Sequence, residues 1–144
     1  ILHFIGLLPS EIEVFTEFRN PQLLTGRSAA KVFDEMEKMQ YGAVITDVAG
    51  RRDCAHMRLT TPKAFIRFVG NGLHATDYTR IHEWVQRLKT WMQQGLQECY
   101  FFVHQPEEIY SPELCRYLIE QLNQHCGTQL KAPRLMEEQD LRLF

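Results

Sequence analysis

Glu17, Arg19, Asp47, Arg67 and His104 are the residues of this chain whose types and spacing can do chemistry. Each sits at or near the end of a short apolar or alternating run. Side chains alternate faces along a strand, so Glu17 and Arg19 share a parity, as do Ala43, Ile45 and Asp47, then Phe65, Arg67 and Val69, and again Tyr100, Phe102 and His104. If the polar members face one way, all five charged or titratable groups converge at one end of a sheet. A carboxylate and an imidazole within reach of one substrate suit general acid–base work, with Glu17 or Asp47 as base and His104 as the partner that titrates near neutral pH. Arg19 and Arg67 suit a carboxylate or phosphate held by paired hydrogen bonds. The same guanidinium charges disfavour a divalent cation beside Glu17, Asp47 and His104, so no metal is expected from these residues, although ligands outside this chain leave one open. The bland alternative is an ion-pair network that only fixes packing.

The elements that must position these groups are legible as alternating β and α patterns. Residues 12–19 (IEVFTEFR) alternate and are rich in β-branched and aromatic types, and Asn20-Pro21 breaks the run. Ser28 is placed to cap a helix carrying Ala29, Val32, Phe33 and Met36 on one face, with Gly42 beyond its end. Residues 43–47 (AVITD) form a buried-strand run, followed by a polar segment to Lys63 with no long helical pattern. Residues 64–70 (AFIRFVG) are a third strand. Thr76 then precedes a helix whose Ile81, Trp84, Val85, Leu88, Trp91 and Met92 share a face, stopped at Gly95. Residues 98–105 (ECYFFVHQ) are a fourth strand, and Ser111-Pro112 opens a helix with Leu114, Cys115, Leu118, Ile119 and Leu122 inward and Gly127 as stop. Leu135, Leu141, Leu143 and Phe144 are candidates for a short closing segment. Strands alternating with helices call for parallel pairing and right-handed crossovers, either in an open doubly wound sheet or in part of a barrel that typically needs about 250 residues.

Glu17-Phe18-Arg19-Asn20-Pro21, Ile45-Thr46-Asp47, Phe65-Ile66-Arg67-Phe68-Val69-Gly70, and Tyr100-Phe101-Phe102-Val103-His104 followed by Tyr110-Ser111-Pro112 carry a family resemblance in this order and approximate spacing. Over most of residues 10–135 the chain resembles the C-terminal part of the YecE-like barrels, the family called domain of unknown function seventy-two. Val69 stands where the family often has His, and His104-Gln105 where it often has an Asn-rich strand end. The resemblance implies an α/β fold, the C-terminal portion of a (β/α)₈ TIM-type barrel whose N-terminal strands lie outside this chain. Sites in that architecture gather at the C-terminal ends of the strands, the ends that carry the five residues above. No activity or cofactor comes with the resemblance. Tyr110, just before the last helix, is a candidate for substrate contact at that mouth, or for a packing role at the helix start.

Bulk properties narrow the function classes. The chain has 144 residues, 44% hydrophobic, 24% charged and 11% aromatic, with a formal net charge of −2. This is the composition of one globular domain, and it supplies no global field toward nucleic acid or anionic lipid. The four cysteines form no Cys-x-x-Cys pair. That pattern fits small buried hydrophobes in a reducing compartment, so the expected location is cytoplasmic. The apolar opening segment has no basic n-region and is broken by Pro9, so neither a signal peptide nor a membrane span is expected. Gly50-Arg51-Arg52-Asp53 follows the Asp47 strand as a basic loop able to grip phosphate or to serve as a solvated turn. Arg51, Arg52, Arg58 and Lys63 together raise a nucleic-acid alternative, without the interleaved aromatics that would support it. His56, His74 and His125 are expected in loops or at the surface, and Trp84 and Trp91 as core. The expectations are therefore a barrel enzyme binding a small anionic ligand, a nucleic-acid-binding or phosphodiester-cleaving barrel, or a non-catalytic interaction domain.

Overall fold

The computed structural model describes residues 2–7, 11–24 and 26–135. A four-residue helix, α1 (Leu2–Ile5), precedes strand β1 (Phe15–Glu17), helix α2 (Gly26–Lys38), strand β2 (Gly42–Val48) and strand β3 (Lys63–Val69). Helix α3 (Ala75–Gln93), strand β4 (Glu98–His104) and helix α4 (Ser111–Cys126) follow. The four strands form one sheet in the order β1-β2-β3-β4, with β1 to β2 and β2 to β3 parallel. A doubly wound sheet reverses its strand order at a switch point, whereas a barrel lays consecutive strands side by side. The order here is consecutive throughout.

The chain divides into two compact units. The first holds residues 1–69 and 92–102. Its buried cluster joins Phe18 to Ala29, Phe33 and Met36 of α2 and to Tyr41 and Ala43, with Val14, Leu23, Leu24, Val32 and Met39 packed against it. The apolar face expected of α2 is therefore the face that the helix buries. Its start differs from expectation: α2 already runs at Gly26, so Ser28 lies within the first turn rather than before it. Asn20 does the local capping instead, its Oδ1 accepting the Gln22 N–H at 3.0 Å and turning the chain into a short 3₁₀ segment, Pro21–Leu23.

In β3 burial alternates strictly. Ala64, Ile66 and Phe68 are fully buried, while Lys63, Phe65, Arg67 and Val69 stand on the other, partly open face. That second face is built from rings near the strand starts. Phe15 meets Phe65 at 5.2 Å between centroids, and Phe65 stacks on Phe102 at 4.8 Å, with Tyr100 beside both Phe15 and Phe65. Gly42 lies under the Phe15 ring, where a Cβ would come within 2.2 Å of Cδ1, so this start of β2 has room for glycine alone.

The second unit holds residues 70–91 and 103–144. In α3, Ile81, Trp84, Val85, Leu88 and Trp91 are buried as expected, and Met92 is exposed. Trp84 and Trp91 make an edge-on pair at 6.2 Å, a packing arrangement. Helix α4 buries Leu114, Leu118 and Leu122 and ends on Gly127 in the left-handed conformation, φ 70°. Two caps differ from expectation. Helix α3 begins at Ala75, before Thr76, and His74 Nδ1 accepts the Thr76 N–H at 3.3 Å. Ser111 is itself helical and donates its hydroxyl to Glu108 Oε2 at 2.6 Å. Leu135 is exposed, and Leu141, Leu143 and Phe144 lie outside the described residues.

Candidate functional site

In the first unit, the parallel register decides which side chains meet. Thr46 of β2 pairs with Arg67 of β3, and Asp47 with Phe68. Thr46 and Arg67 therefore share the partly open face, while Asp47 stands with Ile45, Ile66 and Phe68 on the buried one. Glu17, at the end of β1, closes the group from the other side. Its Oε1 accepts from Thr46 Oγ1 at 3.1 Å, Arg19 Nε at 3.2 Å and Arg67 Nη1 at 3.5 Å. Three of the expected residues, Glu17, Arg19 and Arg67, are thus brought together at the C-terminal strand ends, with Thr46 as the β2 member.

Asp47 is not brought onto that face, which corrects the expected convergence. Its side chain is 0% exposed and pairs with Arg52 Nε at 3.5 Å. The reason is register: the run 43–47 is buried on both faces, so its own pattern carries no sign of which parity faces Glu17. Arg52 anchors the loop after β2 to that buried carboxylate.

The grouped residues line a pocket of about 200 Å³ together with Phe18, Val48, Arg51 and Cys54. Arg51 reaches it from the loop expected after the Asp47 strand and is bonded to Asp53 at 3.1 Å. That bond holds the Arg51 guanidinium above, and the Asp53 carboxyl below, their ordinary values. Cys54 is buried and donates its thiol to the Arg19 carbonyl at 3.6 Å. Thr46 and Cys54 escape sequence reasoning because neither belongs to a charged motif.

His104 and Tyr110 fall in the second unit. His104 Nδ1 lies 3.4 Å from Glu108 Oε1, and its carbonyl accepts the Gly70 N–H at 2.8 Å. Glu108 is held below the usual carboxylate range first by the Ser111 hydroxyl and then by His104. Tyr110, partly exposed, ends a 3₁₀ turn and precedes α4.

The same unit contains a polar group that no motif announced. Asp77, fully buried in the first turn of α3, accepts the Asn71 N–H at 2.7 Å and lies 3.4 Å from Arg80 Nη1. Gln105 Oε1 accepts the Gly72 N–H at 2.8 Å, and its amide reaches Asp77 at 3.4 Å. Gly72 and Leu73 both take positive φ, 65° and 60°. The network satisfies the backbone of this turn and fixes the loop that follows β3. Gln105, at a departure from the family pattern, is thereby a structural brace.

The basic segment is laid out as ion pairs. Arg51 binds Asp53, Arg52 binds Asp47, Arg58 binds Asp34 and Glu37, and Lys63 binds Glu13 and Glu98. Lys63 also borders a cleft of about 440 Å³ at the strand starts, with Glu11, Glu13 and Tyr41. Among the described residues, no group of three His, Cys, Asp or Glu side chains is gathered to hold a metal ion, and no helix is long and apolar enough to cross a membrane. His56, expected in a loop or at the surface, is half-buried, with Nε2 3.0 Å from the Val44 carbonyl and its ring against Phe33.

Consecutive parallel strands alternating with helices, with polar groups at the strand ends, place the protein among α/β folds of the barrel kind. The family model described as "Protein of unknown function DUF72" matches residues 1–139, and the chain belongs to that family. No curated protein matches it. Two crystal structures of a DUF72 family protein from Enterococcus faecalis V583 are similar in fold. That at 2.52 Å shares 14% identity with a TM-score of 0.62, covering 83% of this chain and 50% of the other. That at 3.10 Å shares 15% identity with a TM-score of 0.62, covering 88% and 52%. The chain thus spans about half the length of the solved relatives it matches.

Proposed function

We propose that the protein is a barrel-type enzyme that binds a small anionic substrate in the pocket at the C-terminal ends of β1, β2 and β3. The observation that carries this is Glu17 at the pocket wall, fixed through one oxygen by Thr46, Arg19 and Arg67. Each guanidinium has five N–H donors. The contacts with Glu17 use one donor from Arg19 and one from Arg67, so both retain donors for an anion. Glu17 is the acid–base candidate of this pocket, since its Oε2 takes part in none of those contacts. Arg19 and Arg67 are the anion-binding groups, and Arg51 joins them from the loop. Asp47 acts at one remove, by holding Arg52 and with it the loop that carries Arg51.

A small ligand is favoured over a nucleic-acid backbone because the pocket holds only about 200 Å³, and the cations of the basic segment outside it, Arg52, Arg58 and Lys63, are each paired with a carboxylate. The test is a thermal melt of the full chain with inorganic phosphate. Saturation near one hundred times Kd stabilises by about 2.7 kcal/mol, a rise of several degrees for a chain of this size. Arg67→Met should abolish that rise, and Arg67→Lys should keep part of it. No rise in the unmodified chain, or an equal rise in Arg67→Met, overturns the assignment.

A further inference from the structure

The charge and size of the pocket narrow the class of anion, an inference that rests on the anion-binding reading above. Among the described residues its lining sets three guanidinium groups, Arg19, Arg51 and Arg67, against one carboxylate, Glu17. Behind them Arg52 and Asp47 pair and cancel. Asp53 holds Arg51, but both side chains are largely open to solvent, where screening keeps such pairs weak. An entering anion can therefore draw Arg51 away from Asp53 at small cost, and the wall then presents an excess of two positive charges.

The donors point the same way. One guanidinium fork saturates both oxygens of a carboxylate. Three forks, reaching the pocket from the end of β1, from β3 and from the loop after β2, match a group with three terminal oxygens and two charges, while the Thr46 hydroxyl stays donated to Glu17. We propose that the pocket takes a phosphate monoester in its dianionic form. Its volume of about 200 Å³ is below the roughly 300–1,000 Å³ of sites for drug-sized ligands. The skeleton is accordingly a few carbons, not a nucleotide.

A phosphate monoester loses its second proton near pH 6, so binding should follow that ionisation. Among the described residues, the charged and titratable groups facing the ligand are Glu17 at the end of β1, Arg19 just after it, Arg67 of β3, and Arg51 and Cys54 of the loop, with Asp53 and the Arg52–Asp47 pair behind. Among the described residues no histidine lines the pocket, and histidine is the side chain whose ordinary titration falls between pH 5 and 8. His56, in the same connection, turns to the Val44 carbonyl and Phe33.

The experiment is calorimetric titration of the full chain with glycerol 3-phosphate, with dimethyl phosphate as a monoanionic diester, and with glycerate as a carboxylate, at pH 5.0 and 7.5. Glycerol 3-phosphate should bind roughly tenfold tighter at pH 7.5 than at pH 5.0, following its dianion fraction. At pH 7.5 it should bind at least about tenfold tighter than either comparator, a gap of about 1.4 kcal/mol. Arg51→Gln should shrink that preference while leaving the fold intact. Equal binding of glycerate or the diester, or no pH dependence, overturns the dianion assignment and leaves anion binding standing. Failure of all three anions to bind overturns both.

Discussion

His56 is a titratable side chain placed against a core surface. Burial pushes its imidazole below the ordinary value of 6.5, against the raising effect of its backbone hydrogen bonds. Above pH 6.5 both folded and unfolded chains carry it neutral, and it contributes no pH dependence. Below that value the unfolded chain takes up the proton first, so stability falls with pH until the lowered folded value is passed. We expect the melting temperature to drop between pH 7.5 and 5.5, and His56→Gln to flatten that drop while keeping a donor for the Val44 carbonyl. Asp53, Glu98 and Glu108, all lowered, act only at more acidic pH. A slope unchanged by His56→Gln would refute this account. Gly42 gives a second prediction of the same scale. Adding one methyl under the Phe15 ring should cost about 1–3 kcal/mol in Gly42→Ala, the usual penalty for overpacking, read from urea denaturation.

Helix α3 depends on the carboxylate in its first turn. Asp77 satisfies the Asn71 N–H and faces Arg80, itself buried. Asp77→Ala leaves the Asn71 N–H and a buried guanidinium short of this acceptor, and should destabilise by on the order of 3 kcal/mol. Hydrogen exchange should show the loss concentrated at residues 70–80. A uniform loss, or none, would mean that the Gln105 and Asp77 network does not hold the β3–α3 turn. The helix itself was legible from sequence, because a buried face repeats every 3.6 residues whatever packs against it. Its caps were not: Thr76 and Ser111 are cap-type residues displaced from the capping position, where His74 and Tyr110 precede the helices. Such choices depend on where each loop arrives, which local pattern does not record.

At the scale of the molecule, the open feature is the sheet face that carries Phe15, Phe65, Tyr100 and Phe102. Tyr100 and Phe102 are 37% and 46% exposed, and β1 and β4 are the outer strands of the sheet. Exposed apolar rings beside strands with unpaired edges invite pairing with another chain. Prepared alone, the 17.0 kDa chain should elute as larger species in sizing chromatography at micromolar concentration. Phe102→Lys should shift it toward monomer. A monomeric unmodified chain would show that this face tolerates water.

The amino-acid sequence by itself determined the four strands, the three long helices and their alternation, because burial periodicity and turn residues are local, and its ordered motifs carried the resemblance to the family. It also singled out Glu17, Arg19 and Arg67, since charged residues interrupting β-type runs are conspicuous in one dimension. Tertiary structure decided the rest. The register of β2 against β3 set Thr46 rather than Asp47 beside Glu17, a one-residue difference that moves a side chain to the opposite face. Strand pairing set the consecutive order β1-β2-β3-β4, which spacing along the chain leaves open. The loop after β2 brought Arg51 and Cys54 to the same pocket. Relations of this kind are contacts between segments far apart in the chain, fixed by strand pairing and packing, and no spacing along a single strand encodes them.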